Sequence, residues 1–265
     1  MEKNLIKKII KAVTWILALC MIGKEILIVQ TMQSMGNFEM DKFILSILLL
    51  LLYVIPIFVF SVFLLRKEKI SIEAFLLAFV AGGYIIGSLA GSINYYISNL
   101  LLSVEVQWIP SIVPPFTEEL LKIGIVLLIA YIFQFKTFKS WLAIGMVVGV
   151  GFQFSEDYAY ILSEFVDGHR DVFGQAFQRI QFSFSTHWLI TGIFAVALYF
   201  LWYKKDSIQS YILVYLLLFS WIYHILWNSP FVDGNSWIQP LLSAMGWFTF
   251  IFVFYLNKTI EKLKE

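Results

Sequence analysis

Eight apolar runs, each near the length that crosses a bilayer, limit what this 265-residue chain can fold into. A spanning helix needs about 20 mostly apolar residues. The runs fall at roughly 9–30, 43–65, 72–100, 118–135, 139–162, 184–203, 208–228 and 237–256. Only 14% of residues are charged, against about 25% in soluble domains. The pattern predicts an all-α integral membrane protein, a bundle of about eight transmembrane helices in one polytopic domain over residues 1–265. The longest polar stretch, about 163–183, reads as a loop with one short amphipathic segment.

Basic residues orient the bundle. Cytoplasmic segments of membrane proteins carry an excess of Lys and Arg. With the N-terminus inside, 14 basic residues fall on the inner side: Lys3, Lys7, Lys8, Lys11, Arg66, Lys67, Lys69, Lys136, Lys139, Lys204, Lys205, Lys258, Lys262 and Lys264. Four fall outside, Lys24, Lys42, Arg170 and Arg179. Both termini are therefore expected in the cytoplasm. The N-terminal run has lysines before it but no small-x-small cleavage site after it, so it reads as a retained first helix.

The charge balance, 19 basic against 18 acidic residues, excludes nucleic-acid binding as an expectation. The single cysteine, Cys20, excludes an internal disulfide and a cysteine-rich zinc site. Gly83, Gly87 and Gly91 in the third run, and Gly145 and Gly149 in the fifth, recur every four residues. Such spacing lets helix backbones approach closely in lipid.

The informative residues are ionisable groups inside apolar runs, each costing about 2.5–3.5 kcal/mol on insertion scales. Glu118, Glu119 and Lys122 follow Pro114 and Pro115 in PPFTEELLKIG. They suit a helix start, with Thr117 as N-cap and Glu118–Lys122 as an i, i+4 pair. Glu156 and Asp157 lie in the C-terminal half of their run, where a helix dipole disfavours acids. His187 stands near a helix start, and His224 and Asn228 share one helix face. Asn94 reads as an interhelical hydrogen-bonding residue.

Depth joins these clusters. The fourth run leads inward, so Glu118 and Glu119 lie at its outer end. Glu156 stands 17 residues beyond Lys139, a rise of about 25 Å toward the outer face at about 1.5 Å per residue. His187 begins the inward sixth run, and His224 and Asn228 end the outward seventh. Unrelated structural groups have no reason to share a level, so one site in the outer leaflet is expected.

The chain lacks GxSG, HExxH and GxGD motifs, which leaves carboxyl and imidazole chemistry with water as attacking group. A desolvated glutamate can act as general base, and His and Asn can donate to an oxyanion. Alternatively, Glu156, His187 and His224 make a two-histidine, one-carboxylate set of the kind that holds a catalytic zinc or other divalent metal. A proton-coupled transporter would also use Glu and His inside a membrane, but the halves show no repeat.

EELLK at 118–122, GFQFSED at 151–157, His187 and HILWN at 224–228 resemble the PrsW family of intramembrane proteases, which looks related to the CAAX prenyl endopeptidases and bacteriocin-processing proteases. The shared pattern is EE, FxxxE or FxxxH from Phe152 to Glu156, a lone His, and HxxxN, in family order across a core of four spans, 114–228. The resemblance implies a bacterial multi-pass plasma membrane protein that hydrolyses a peptide bond of a membrane-anchored, single-pass substrate at the extracytoplasmic side. An anti-sigma factor cut in the first of two steps is the implied case. Carried over, Glu118 or Glu119 and Glu156 activate water, His187 positions or ligates, and His224 with Asn228 holds the oxyanion. Lys122 and Phe152 are supporting residues. So is Asp157, which stands where such proteases have Asn. Lys122, in place of an Arg further on, departs from the prenyl-protease pattern and argues against a prenylated substrate.

Overall fold

The computed structural model describes residues 2–35, 39–66, 68, 70–101, 108–167, 171–232 and 237–262. Of the basic residues that orient the chain, Lys67, Lys69, Arg170 and Lys264 lie outside this set. The described residues form eleven α-helices and no strand. Helix α1 is Glu2–Met35, α2 Met40–Leu49 and α3 Leu51–Leu64, the last two forming one membrane-length segment jointed at Leu50. Helix α4, Ile72–Val80, continues through a π-helical stretch, Ala81–Ile85, into α5, Ile86–Leu100. Then come α6 Ile109–Phe133, α7 Phe138–Asp167, α8 Val172–Phe182, α9 His187–Tyr203, α10 Ser210–Trp227 and α11 Ile238–Lys262.

Seven of these segments are long and apolar enough to cross a membrane, and α6 is the eighth by length. Its interior charges, Glu118, Glu119 and Lys122, keep it from qualifying by composition. This is a multi-pass, all-α membrane protein. Large apolar side chains cover the periphery, Leu27, Phe248 and Ile251 among them. Lipid is as apolar as leucine, so these residues gain little by turning inward.

The core is α7 against α9. His187 through Phe200 are buried without a break, and small residues bring the two backbones together. A Cβ on Gly149 would stand 2.4 Å from the His187 carbonyl oxygen and 2.7 Å from Trp188 Cα. On the other face of α7, a Cβ on Gly83 would meet the Gly151 carbonyl oxygen at 2.8 Å. The π-helical stretch carries Gly82 and Gly83 past this crossing. Gly91 differs, with none of the described residues within 4 Å of its Cβ position. Because Gly149 meets backbone, which cannot swing aside, Gly149→Val is expected to displace the start of α9. Its unfolding midpoint in detergent should fall well below that of Gly23→Val, whose Cβ position is open. Equal midpoints would refute the close crossing.

Two expectations change. The stretch 163–183 is largely helical, since α7 runs to Asp167 and α8 fills Val172–Phe182. Asp171 caps α8, its carboxylate accepting from the Phe173 amide at 3.0 Å. Nor does α6 begin at Thr117. It begins at Ile109 and runs through Pro114 and Pro115. These prolines sit in the second turn, where few intrahelical bonds are lost, and membrane helices tolerate such breaks when neighbours satisfy the freed groups. Ser111 Oγ donates to the Asn228 carbonyl at 2.7 Å, tying this end of α6 to α10. Thr117 donates back to the Val113 carbonyl at 3.1 Å instead of capping.

Candidate active site

The glutamates of α6 therefore sit more than two turns inside a helix, and each takes a different direction. Glu119 points into the bundle and is 1% exposed. Its Oε1 accepts from Lys122 Nζ at 2.7 Å and lies 3.0 Å from His224 Nδ1. Glu118 points to a cavity. Its Oε1 accepts a long hydrogen bond, 3.3 Å, from Asn94 Nδ2, and its buried Oε2 has no hydrogen-bond partner among the described residues. His224 Nε2 is 3.8 Å from that oxygen. The expected Glu118–Lys122 pair is replaced by Glu119–Lys122, at i, i+3.

Lys122 is fully buried, and a cation there requires compensation from every side. It lies 2.9 Å from His187 Nδ1 and 4.1 Å from the Phe152 ring centroid. Phe152 also meets the His187 ring edge-on, centroids 4.9 Å apart. His187 is the first residue of α9, and side-chain bonds hold the turn before it. Thr186 Oγ1 donates to Gln153 Oε1 at 2.9 Å, Trp188 Nε1 to the Ser183 carbonyl at 2.7 Å, and Tyr223 OH to the Ser185 carbonyl at 2.8 Å. The ring thus faces α7, where its Nε2 is 3.2 Å from Glu156 Oε2.

Four helices bring Glu118, Glu119, Glu156, His187 and His224 into one connected cluster, as their common depth predicts. Asn228 caps the end of α10 and is exposed. It lines a cavity of about 470 Å³ together with Glu118, Glu156 and His187. Asp157 turns away from Glu118. It is fully buried and accepts from Tyr53 OH at 2.8 Å and from Arg179 Nε.

Arg179 is the residue that sequence reading places merely on the outer side. From α8 its guanidinium bridges the adjacent acids, with Nη2 donating to Glu156 Oε2 at 2.5 Å and Nε to Asp157. It also stacks over Tyr160, 4.3 Å from the centroid. A planar fork suits two neighbouring carboxylates better than an ammonium would. The available signal was one arginine in an amphipathic segment beside two unexplained acids. Tyr53 carries no such signal, since it lies 104 residues from Asp157.

Residues 71–256, more than half of the chain, match a family model described as PrsW family intramembrane metalloprotease. The chain belongs to the PrsW family. It is accordingly an intramembrane protease, a hydrolase whose substrate is a protein in the membrane. No curated protein and no solved structure matches it. The matched region takes in α4 through most of α11 and every residue of the cluster except Tyr53.

The residues present fit the metal that the PrsW family description implies. One donor atom each from Glu118, His187 and His224 lie within 4.8 Å of one another, all buried. Glu118 Oε2 is an orphan, and the His224 Nδ1–Glu119 contact is the kind of outer contact that frees Nε2 as a ligand. Where sequence reading names Glu156 as third ligand with His187 and His224, the close set has Glu118. Glu156 Oε2 is engaged by Arg179 and His187.

Proposed function

We propose that this PrsW protein is an endopeptidase in which Glu118 handles the attacking water. The observation that carries this reading is Glu118, which lines a cavity and whose buried Oε2 has no hydrogen-bond partner among the described residues and lies 3.8 Å from His224 Nε2. A water placed between them meets an acceptor for its proton. Glu119 has a different task. Saturated by Lys122 and His224, it orients the His224 ring through Nδ1. Asn228, which lines the cavity, then receives the carbonyl oxygen of the substrate, with His224 behind Glu118 as the second donor. His187 and Arg179 hold Glu156.

Where a divalent ion is bound, Glu118, His187 and His224 would hold it in place of the direct Glu118–water and His187–Glu156 contacts, and it would supply a water acidified to a pKa of about 7. Elemental analysis of the purified protein tests this. About one equivalent of zinc or another divalent ion is expected, falling in His224→Ala. No bound metal, with cleavage surviving chelation, leaves a glutamate-only reaction.

The inferred substrate is a single-pass, membrane-anchored protein such as an anti-sigma factor, cut on the extracytoplasmic side of a bacterial plasma membrane. The charge distribution along the chain supports this orientation. A reporter fused after Lys205, in the short turn between α9 and α10, should stay cytoplasmic. Its appearance outside would overturn the orientation. The function itself is tested by co-expression with a tagged single-pass protein, which wild type should cut and Glu118→Gln should leave whole.

A further inference from the structure

The Glu118–Glu156 pair stands where two separate recesses meet. Asn94, Glu118 and Glu156 line both. One recess is the 470 Å³ cavity toward Asn228 and Arg179. The other, about 490 Å³, runs back between α1, α5 and α7, past Gly91, Ser155 and Ala159 to Lys24 and Glu25. Both volumes fall in the range of about 300–1,000 Å³ typical of ligand sites. The chemistry proposed above uses only the first.

Resting on the endopeptidase reading, we propose that the second recess is a peptide-binding site. It takes an extended segment of the substrate on one side of the cut, with Asn94 holding its backbone, while the first recess takes the other side. Three observations carry this. An enzyme that cuts within a chain must admit polypeptide on both sides of the reacting bond, and the carboxylates here sit between two openings instead of at a dead end. Asn94 spends its amide group on Glu118, which leaves its buried Oδ1 without a partner among the described residues and able to accept a backbone N–H. A helical substrate offers no such N–H until it unwinds, since its own carbonyls occupy them. Finally, Gly91 lies one turn past Gly87, which packs on Ser155, yet none of the described residues stands within 4 Å of its Cβ position. Helix packing therefore leaves this part of the wall open. Helix α1 contributes Lys24 and Glu25 to the far wall of the recess. The favoured substrate is a membrane segment that readily leaves helical form near the cut.

Gly91→Phe and Ala159→Phe fill the recess from facing helices, and both positions are exposed, so the fold should be kept. The probe is a quenched-fluorescent synthetic peptide with one apolar stretch of about 20 residues, presented to the full chain in detergent. Each variant should raise KM about tenfold with kcat little changed, the signature of lost substrate binding without lost chemistry. Unchanged KM in both variants, with wild-type cleavage intact, overturns the recess and leaves the endopeptidase reading standing. A thiol cross-link from Gly91→Cys, in a Cys20→Ser, Glu118→Gln chain, to cysteines along the same peptide reads the recess without turnover. Cross-links confined to one side of the cut support the site, and none at any position refutes it. Cross-linking without any wild-type cleavage would instead count against the protease reading.

Discussion

Replacing Glu118 with glutamine is expected to lower cleavage by about 10²–10⁴-fold, the usual worth of a positioned general base, and to leave thermal stability nearly unchanged. The stability half follows from its contacts. Among the described residues Glu118 makes one long bond, to Asn94, and leaves Oε2 unpartnered, so an amide of the same shape costs the fold little. Glu119→Gln is expected to behave differently. It removes the partner of a fully buried lysine and the acceptor at His224 Nδ1, so activity and stability should fall together. The pair of measurements, cleavage rate and unfolding midpoint in detergent, separates the two adjacent glutamates. If Glu118→Gln cleaves at the wild-type rate while Glu119→Gln stays folded and inactive, the assignment is reversed. Retained cleavage in Glu118→Gln, Glu119→Gln and Glu156→Gln alike would remove the site altogether.

The second large effect is on stability. Lys122→Met leaves Glu119 as a buried carboxylate without its cation. Breaking a buried pair from one side costs about 3–5 kcal/mol, whereas replacing both partners with apolar groups of similar volume is often close to neutral. Lys122→Met should therefore be markedly less stable than wild type, and the Lys122→Met, Glu119→Met double variant more stable than the single one. Denaturant unfolding in mixed micelles reads both. A double variant that loses the sum of the two single losses would show that Lys122 and Glu119 do not depend on each other. Because Lys122 also touches His187 and Phe152, all variants in this series should be inactive whatever their stability.

Much of this molecule was legible in the order of its residues. Hydropathy is local, and a run of about 20 apolar residues has few structural options in lipid. Up-and-down threading then puts the head of α6, the tail of α7, the head of α9 and the tail of α10 at one end of the bundle. For that reason the acids and histidines could be brought to one level without coordinates. The family pattern of EE, FxxxE, His and HxxxN belongs to the same layer of information, and so does the multi-pass topology.

What escaped is what depends on rotation about helix axes and on side chains meeting across them. Adjacent helical residues point about 100° apart, which is why Glu118 and Glu119 share a motif and face different surroundings. The prolines of PPFTEELLKIG read as a helix boundary, yet α6 passes through them, its first turns tied to α10 by the Ser111–Asn228 bond. Lys122 reads as the i, i+4 partner of Glu118 by spacing and pairs with Glu119, since the bundle interior lies on that side. Arg179 and Tyr53 reach Asp157 from helices far apart along the chain. Alone, the sequence determined the apolar helices, the common level of the acids and histidines and the family. Tertiary packing decided which carboxylate is free and which is held, because a buried charge finds its partner across helix–helix contacts that no local spacing encodes.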